Sequence, residues 1–543
     1  MSWDEEYDIV CAGSGMGGLT GALTATERGK TAIVIEKFEQ LGGVSALSSG
    51  QLWPGPNHLA DAAGINDDEG LAKSYIDHLS QGMSTPELRD AFFMGSREVL
   101  RFMTDTIGIE MRVIRNLPDY YYPKVEGSAA EGRYIEVVPF PAQKLGEWAS
   151  KVLCSPYGHY YNYSTSSEWI AMQRGGDHLN IPLRRHVAAD ERCAGAGMAA
   201  AQVFEALKRG VKFCTSTEVT QLVIEDGKVV GVLTSGPSGT RRIRARSGVL
   251  LATGGYDWHP TFVRSFDALP STGSMALPTI TGDHFVLASK AGVIPMPARA
   301  PAQTPIFVGY KVPSETIYGK NGSSRLLVPG QPHSIIVNRT GKRFANDSFY
   351  PDVATKCGRF DGQEQGMVNW PAWVIFDQNM LDKKGMLPAP PGSPLPDGMA
   401  IEADSLSALA QLAGIDAEGL QATVERFNGM CKTGVDEDFE RGTNPWGCLM
   451  AGDPKLKNPN MAELARAPFY AVKLERVTMG VPTAGLPINC DGCVINAAGN
   501  VVPGLYASGN SASWQDWGSG YNSGIASMRG MLYGYKSALH MTS

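Results

Sequence analysis

The chain has 543 residues, of which 43% are hydrophobic and 19% are charged. This balance is typical of a globular protein with ample core, and the length predicts two lobes rather than one domain. The formal net charge is -7 and the isoelectric point is about 5.8. Without a clustered basic face, these values exclude a nucleic-acid-binding protein.

The cysteines and the start of the sequence favour a cytoplasmic location. Nine cysteines are scattered and odd in number, which favours free thiols over a disulfide framework. The first ten residues, MSWDEEYDIV, lack the basic start and apolar core of a signal peptide. No apolar stretch is long enough to span a bilayer, so we expect no membrane span.

The first elements in chain order form a βαβ unit. Residues 7–12 are a short apolar run that ends in glycines, and residues 16–29 are rich in small side chains. Residues 31–36 (TAIVIE) are β-branched, as in a buried parallel strand. The order predicts a strand, a helix and a second strand beside the first.

Regular elements return in the middle and at the end of the chain. Residues 201–210 are predicted to be helical, whereas 211–234 and 241–253 are predicted to form short strands. From residue 503 the pattern is a strand, a glycine-rich segment and a helix over 525–539. This helix places its apolar side chains three and four residues apart, on one face.

The stretch between these regions is less regular. Residues 273–461 contain a proline-rich segment at 388–396 and predict a separate lobe with surface loops. We therefore expect an α/β fold in which 1–272 and 462–543 form a Rossmann-type domain. An α+β domain at 273–461 is inserted into it and carries the substrate-binding surface.

A dinucleotide-binding motif follows the first strand. Gly13 makes a tight turn, Gly15 leaves room for a pyrophosphate, and Gly18 allows the helix to approach the strand. The helix N-terminus offers free N–H groups to the diphosphate. Glu36 ends the next strand, where a carboxylate accepts hydrogen bonds from a ribose 2′-OH. The motif also assigns Ser14, Gly17 and Lys37 to the cofactor site.

Three further segments resemble FAD-binding flavoproteins of the glutathione reductase and fumarate reductase type. They are 41–45 (LGGVS), 251–255 (LATGG) and 503–510 (PGLYASGN), in the usual order along the chain. The resemblance implies FAD as the cofactor. The sequence has no second complete GxGxxG for NAD(P)H, so we expect an external electron acceptor. The residues that the resemblance assigns to FAD are Gly42, Gly43, Val44, Ser45, Val219, Thr253, Gly254, Gly255, Gly509, Asn510 and Ile525.

Within these flavoproteins the chain resembles the 3-ketosteroid dehydrogenases most. The supporting segments are 118–123 (PDYYYP), 131–133 (EGR), 336–338 (IVN), 341–347 (GKRFAND) and 426–428 (RFN). Fumarate reductases carry HPT and TEA-type segments and an arginine near a histidine, and the sequence has none of these. The resemblance implies a steroid or similar apolar ketone as substrate.

The segment 517–524 (WGSGYNSG) bears on which bond is oxidised. The Δ1-dehydrogenases have Tyr-Pro-Gly-x-Gly here, whereas Tyr521, Ser523 and Gly524 form Tyr-x-Ser-Gly, which resembles the Δ4-(5α)-dehydrogenases. The prediction is therefore a Δ4-dehydrogenase. A Δ1-dehydrogenase and an enone reductase of the same superfamily are the alternatives. A lipid carrier that has lost its flavin is disfavoured by the intact Gly15, Glu36 and Gly43.

Dehydrogenation beside a ketone removes a proton from the α-carbon and a hydride from the β-carbon. The Tyr521 hydroxyl and the Gly524 amide are the candidate donors to the ketone oxygen. By resemblance Tyr350 is the base, with Ser523 as a relay, and Tyr120 and Tyr121 are candidates to face the substrate. Two purely structural alternatives stay open. Tyr350 could be a core aromatic residue, and Ser523 could be a helix N-cap.

The sequence predicts no metal site. Cys490 and Cys493 form a CxxC pattern, but the Asp-Gly pair between them is typical of a hairpin turn. A zinc site of this kind needs a second pair of ligands. The nine histidines have no HExxH or comparable spacing.

Overall fold

The computed structural model describes residues 2–175, 178–297 and 307–543. Two sheets organise these residues, each with helices packed around it. The predicted class is confirmed: a Rossmann-type α/β domain carries an inserted α+β domain.

The first sheet has eight strands and a parallel centre. The strand Glu5–Ala12 lies between Ala32–Ile35 and Gly239–Leu251 and is parallel to both. Continuous burial of residues 9–12 and 32–35 explains why their sequences are apolar without alternation. The strand order from one edge is Cys493–Ile495, Val501–Ala507, Gly239–Leu251, Glu5–Ala12, Ala32–Ile35 and Lys212–Cys214. An antiparallel ribbon extends from Gly239–Leu251 and consists of Lys228–Gly236, which pairs with it, and Glu218–Glu225.

Most helices of the chain belong to this lobe. The first, Met16–Glu27, packs against the last, Ile525–Met541, so that the two ends of the chain meet beside the dinucleotide-binding turn. The others are His58–Ala62, Glu69–Ser80, Pro86–Arg101, Tyr160–Tyr163, Ser166–Gln173, Asn180–Ala189, Ala194–Lys208, Pro260–Asp267 and Asp283–Ser289, with a short helix Gly43–Leu47, a π-turn Phe102–Thr106 and 3-10 segments at Ala142–Lys151 and Gly509–Ser511.

The second sheet forms the core of the inserted lobe. Its central strand Phe469–Thr478 is antiparallel to Phe307–Ile317 on one side and to Ala372–Asp377 on the other. The remaining strands are Lys320–Leu326, Ser334–Asn338, Ile401–Ala403 and Gly273–Ser274, and the helices are Tyr350–Cys357, Gln378–Lys383, Leu406–Ala413, Ala417–Thr433 and Pro445–Ala451.

Four two-stranded ribbons complete the fold. They are Met111–Val113 with Ile135–Val137, Phe140–Pro141 with Glu191–Arg192, Met296–Pro297 with Ala484–Gly485, and Phe360–Asp361 with Gly366–Met367. The segment around 489–493 forms the predicted hairpin turn, because Ile488 and Val494 pair antiparallel across it and Gly492 has a positive φ.

The structure differs from the predicted element boundaries in two places. The helix expected at 201–210 is the second half of Ala194–Lys208. The boundary expected at residue 461 precedes the central strand of the second sheet, Phe469–Thr478, so this lobe extends further along the chain. Across the described ranges no helix has both the length and the apolar composition that a bilayer crossing requires.

Candidate active site

The dinucleotide-binding turn leaves one open position among crowded glycines. Gly13 has φ of 105°, and a Cβ there would overlap the carbonyl oxygen of Ala252. A Cβ on Gly18 would overlap Gly13 itself. A Cβ on Gly15, by contrast, would meet only Ser45 Oγ, at 3.5 Å, and would point into a large cavity. The space at Gly15 is therefore free for a ligand.

Glu36 is buried at the end of the second strand and faces this turn. Its carboxylate accepts hydrogen bonds from Ser14 N (2.9 Å), from Ser14 Oγ (2.6 Å) and from Phe38 N (2.8 Å). Burial raises the pKa of Glu36, and these donors oppose that shift. A carboxylate has room for further donors, so Glu36 can also accept a hydrogen bond from a ribose hydroxyl.

Lys37 and Val219 lie at the cavity wall beside Glu36. Lys37 Nζ forms ion pairs with Glu218 (2.9 Å) and Asp283 (3.0 Å), which raise the pKa of the lysine against the effect of burial. The ammonium group is thus held by carboxylates of the protein.

Asn510 offers a further polar contact to a cofactor. Its Nδ2 donates to the Gly480 carbonyl oxygen at 2.7 Å, whereas its Oδ1 is buried and has no hydrogen-bond partner among the described residues. Buried polar atoms are almost always paired, so this one fits a site that a ligand completes. The opening at Gly15 and the Asn510 oxygen both fit a dinucleotide such as FAD.

Most residues predicted for the cofactor line one cavity of about 1270 Å³. These are Gly13, Gly15, Gly17, Glu36, Lys37, Gly43, Val44, Ser45, Val219, Thr253, Gly254, Gly509 and Asn510. Five predicted residues are not among those that line it: Ser14, Gly18, Gly42, Gly255 and Ile525.

These five residues support the wall from behind. Ser14 Oγ accepts from the Gly42 N–H at 2.9 Å, which ties the two glycine-rich loops together. A Cβ on Gly255 would lie 3.1 Å from the Gly480 carbonyl oxygen, so Gly255 serves close packing as Gly18 does. Ile525 is fully buried as the first residue of the last helix. In the structure they pack behind the cavity wall, and their direct contact with the cofactor stays a prediction.

Three predicted tyrosines meet at the other part of the same cavity. The ring centroid of Tyr120 lies 5.5 Å from that of Tyr350 and 6.2 Å from that of Tyr521. Phe307 stacks on Tyr350 at 4.9 Å, and Trp446 lies 4.4 Å from Tyr120. All five side chains line the cavity. The fold thus assembles one aromatic pocket from the Rossmann lobe and the inserted lobe.

Tyr350 begins the helix Tyr350–Cys357 and is buried in this pocket. Burial raises its pKa well above the usual value, and neighbouring Tyr120 and Tyr521 add to the rise. Its Oη has no hydrogen bond of standard geometry in the part of the chain that the structure describes. Burial also raises the pKa of Tyr120, whereas interactions with Tyr350 and Ser523 oppose that rise.

Ser523 belongs to the pocket and not to a helix cap. The last helix begins at Ile525 with Gly524 as its N-cap, and no side chain caps it. Ser523 Oγ instead donates to Gln51 Oε1 at 2.6 Å, and Gln51 Nε2 donates to Ser166 Oγ at 3.0 Å. The N-cap alternative for Ser523 is therefore wrong.

Gly524 is required where the loop meets the chain at residues 52–53. It has φ of 82°, and a Cβ would lie 2.8 Å from the Leu52 carbonyl carbon and 2.9 Å from Trp53 N. Its N–H lies at the positive end of a 17-residue helix. Tyr521 and Gly524 both line the cavity, as the prediction requires.

Tyr121 does not line the cavity, contrary to the prediction. Its ring packs between Phe349 (5.6 Å) and Tyr75 (6.5 Å) behind Tyr120. Sequence reasoning missed Phe307, Trp446 and Gln51, which come from three distant segments.

The fold and the cavity define an FAD-binding flavoprotein of the Rossmann type. The family model described as FAD binding domain matches residues 8–525. The chain therefore belongs to the FAD-binding domain family and is an FAD-dependent oxidoreductase.

Relatives and a solved structure extend this likeness over the whole chain. A 4-oxocyclohexanecarboxylate 2-dehydrogenase of Sinomonas cyclohexanicum is 33% identical over 95% of this chain and 89% of its own. A 3-oxosteroid 1-dehydrogenase of Mycolicibacterium smegmatis is 32% identical over 94% and 92%. The structure of 3-ketosteroid Δ1-dehydrogenase from Sterolibacterium denitrificans has a TM-score of 0.88 and 24% identity and covers 99% of each chain. The resemblance to the ketosteroid dehydrogenases is confirmed; the Δ4 assignment stays a prediction.

Proposed function

We propose that the protein oxidises the carbon–carbon bond next to the ketone of a six-membered ring, with a 3-ketosteroid as the leading substrate. The observation that carries this proposal is the convergence of Tyr120, Tyr350, Tyr521 and Gly524 at one cavity. This cavity continues to the open glycine turn at Gly15. Ketone donors, a proton acceptor and the cofactor site thus share one space.

The donors and the proton acceptor have separate positions in the pocket. The Tyr521 hydroxyl and the Gly524 N–H hold the ketone oxygen and stabilise the charge that develops there, each donor contributing about 3 kcal/mol. Tyr350 removes the α-proton, and the Tyr120 ring lies beside it with a centroid distance of 5.5 Å. FAD, when bound, supplies the acceptor for the β-hydride. The apolar rings around the pocket keep water away from the ring carbons.

The names of the two relatives support a ring ketone as the common feature of the substrate. One is named for a 3-oxosteroid and the other for a 4-oxocyclohexanecarboxylate, and both are named as dehydrogenases. A ketone on a six-membered ring is therefore the part that the pocket must recognise. The aromatic wall formed by Phe307, Trp446 and Tyr120 suits the apolar rings of a steroid beyond it.

Two bonds are candidates for oxidation. The Tyr-x-Ser-Gly segment favours the Δ4 position, and Ser523 lines the cavity as that prediction requires. The relative named as a 1-dehydrogenase favours the Δ1 position. The position of the ketone relative to Tyr350 decides between them, because the two α-carbons lie on opposite sides of the carbonyl.

Three substrates with an artificial electron acceptor test the proposal. Androst-4-ene-3,17-dione, 5α-androstane-3,17-dione and 4-oxocyclohexanecarboxylate are incubated separately, and NMR locates any new double bond. A 1,4-diene from the first compound assigns Δ1, and a 4-ene from the second without further oxidation assigns Δ4. Oxidation of the third compound alone narrows the substrate to monocyclic keto acids. If the yellow holoenzyme oxidises none of a panel of ring ketones, the proposal is wrong.

A further inference from the structure

Asn522 lies between two residues of the pocket but points away from it. It is fully buried, whereas its neighbours Tyr521 and Ser523 line the cavity. Its Oδ1 accepts hydrogen bonds from the Tyr120 N–H (3.1 Å) and from the Tyr75 hydroxyl (2.9 Å). Its Nδ2 donates to the Tyr134 hydroxyl at 2.7 Å. Every polar atom of this carboxamide is therefore used inside the protein.

A second carboxamide holds the other side of the same residue. Asn444 Nδ2 donates to the Tyr120 carbonyl oxygen at 2.9 Å, and Asn444 Oδ1 caps the helix Pro445–Ala451 through Gly447 N at 2.8 Å. The backbone N–H and C=O of Tyr120 are thus fixed by side chains from two remote segments. One segment carries Tyr521, and the other carries Trp446, which packs on the Tyr120 ring.

Tyr120 depends on these contacts because no regular element holds it. It lies in a turn, outside any helix or strand. The preceding residue, Asp119, is anchored by Trp53 Nε1 (2.7 Å) and Arg133 (3.0 Å), which fixes the start of the turn. The peptide groups of Tyr120 itself are fixed by Asn522 and Asn444.

We propose that Asn522 is a positioning residue that sets the distance between the ketone anchor Tyr521 and the Tyr120–Tyr350 pair, with Asn444 as the second half of the clamp. The inference rests on the proposed function. Tyr120 lies 402 residues from Asn522, the neighbour of Tyr521, and the Asn522 Oδ1 bond to Tyr120 N joins the two segments directly. Loss of this bond lets the two parts of the pocket shift independently. A misplacement of about 1 Å is enough to reduce turnover roughly a hundredfold.

The test compares variants of the holoenzyme with the best ring ketone found for the wild type. Asn522→Leu is nearly isosteric and removes every hydrogen bond of this side chain, so the limiting rate of flavin reduction by substrate should fall about tenfold to a hundredfold. KM should change much less, because the ketone donors remain. Reoxidation of the reduced flavin by the artificial acceptor does not need Tyr120 and should keep the wild-type rate.

The pH profile separates positioning from a general loss of stability. Tyr120 adds to the raised pKa of Tyr350, so its displacement should move the rise of flavin reduction to lower pH in Asn522→Leu. Asn522→Asp keeps an oxygen for the Tyr120 N–H and should restore part of the rate. Tyr134→Phe removes only the partner of Nδ2, leaves the Tyr120 bond intact and should stay near the wild-type rate.

Asn444→Asp tests the Asn444 half of the clamp, and it still tests the inference if Asn522→Leu does not fold. It retains the capping oxygen for Gly447 but replaces the donor to Tyr120 by an acceptor, so flavin reduction should again slow with little change in KM. Unchanged rates and pH profiles in Asn522→Leu or Asn444→Asp would overturn the inference. A wild-type enzyme inactive on every ring ketone would instead refute the proposed function, before any variant is compared.

Discussion

The surroundings of Tyr350 disfavour the deprotonated form that a base requires. Burial and two neighbouring tyrosines raise its pKa well above 10, so little tyrosinate exists at neutral pH. A base must be deprotonated to accept a proton. The apolar surroundings that raise the pKa also make the tyrosinate, once formed, a strong base next to the α-carbon.

The rate of flavin reduction by substrate should therefore rise with pH. Because the pKa of Tyr350 lies above the working range, each pH unit below it should change the rate by about tenfold. Stopped-flow measurements with saturating substrate between neutral and alkaline pH test this. Tyr350→Phe should bind FAD and substrate as the wild type does, yet lose the reaction by orders of magnitude together with its pH dependence. A variant with wild-type turnover would make Tyr350 a packing residue.

Gly15 should be needed for the cofactor and not for the fold. Its φ of -69° suits any residue, and an added Cβ meets only Ser45 Oγ at 3.5 Å within the protein. Gly15→Val should therefore fold but remain colourless, because the side chain fills the space of the pyrophosphate. Circular dichroism and visible absorbance of the purified protein measure the two properties. Gly18→Ala is the contrast, since its Cβ overlaps Gly13 and should impair folding itself.

At the residue scale, most of the site residues predicted from the sequence line the cavity, but the sequence does not show how the turns around it are directed. The choice between Tyr120 and Tyr121 depends on Asn522 and Asn444, which are remote in sequence. No local period marks a residue in a turn, so the sequence alone leaves both Tyr120 and Tyr121 as candidates to face the substrate. Gln51, which holds Ser523, is equally remote and carries no motif.

At the scale of elements, the contact between the first and last helices depends on the absence of side chains. A Cβ on Gly534 would overlap the carbonyl oxygen of Gly17, and a Cβ on Gly530 would lie 3.2 Å from Met16 Cβ, a tight contact. Arg529 is buried on this helix and binds Asp516 at 2.7 Å, which holds the loop before the helix in place. The helix was predicted from its apolar face, but a buried arginine and two packed glycines have no such periodic signal.

Gly534→Ala should destabilise the protein, since a methyl group there forces the two helices apart and overpacking of this kind costs about 1–3 kcal/mol. The matched control is Gly429→Ala in the helix Ala417–Thr433, where a Cβ meets nothing within 4 Å. This control should gain up to about 1 kcal/mol, because alanine is the better helix former. Thermal and denaturant unfolding measure both. Equal stabilities for the two variants would contradict the packing argument.

At the scale of the whole molecule, the α/β class and the insertion of a second lobe follow from motif order, whereas the end of that lobe does not. The strand Phe469–Thr478 lies in the part of the chain predicted to belong to the Rossmann domain, yet its partners are Phe307–Ile317 and Ala372–Asp377 of the inserted sheet. Strand partners are long-range contacts, which a local pattern does not encode. The inserted lobe therefore returns to the Rossmann domain later than its composition indicates.

FAD should stabilise the folded protein, and its release should not require that a covalent bond is broken. The wall of the cavity combines both ends of the chain and the inserted lobe, with Gly15, Asn510 and Phe307 as examples. A ligand that binds only the folded state at a concentration of 100 times its Kd stabilises that state by about 2.7 kcal/mol.

The melting temperature of the apoprotein should accordingly lie below that of the holoenzyme and should rise with added FAD. Differential scanning fluorimetry over a range of FAD concentrations measures this shift, and Gly15→Val, which has lost the room for the pyrophosphate, is the control that should not respond. Acid precipitation should release the yellow colour into the supernatant, because the glycine loop would donate hydrogen bonds to the cofactor and Asn510 Oδ1 would accept one, and neither contact is covalent. Colour retained in the pellet would indicate a covalent link, and a melting temperature independent of FAD would place the cofactor outside this cavity.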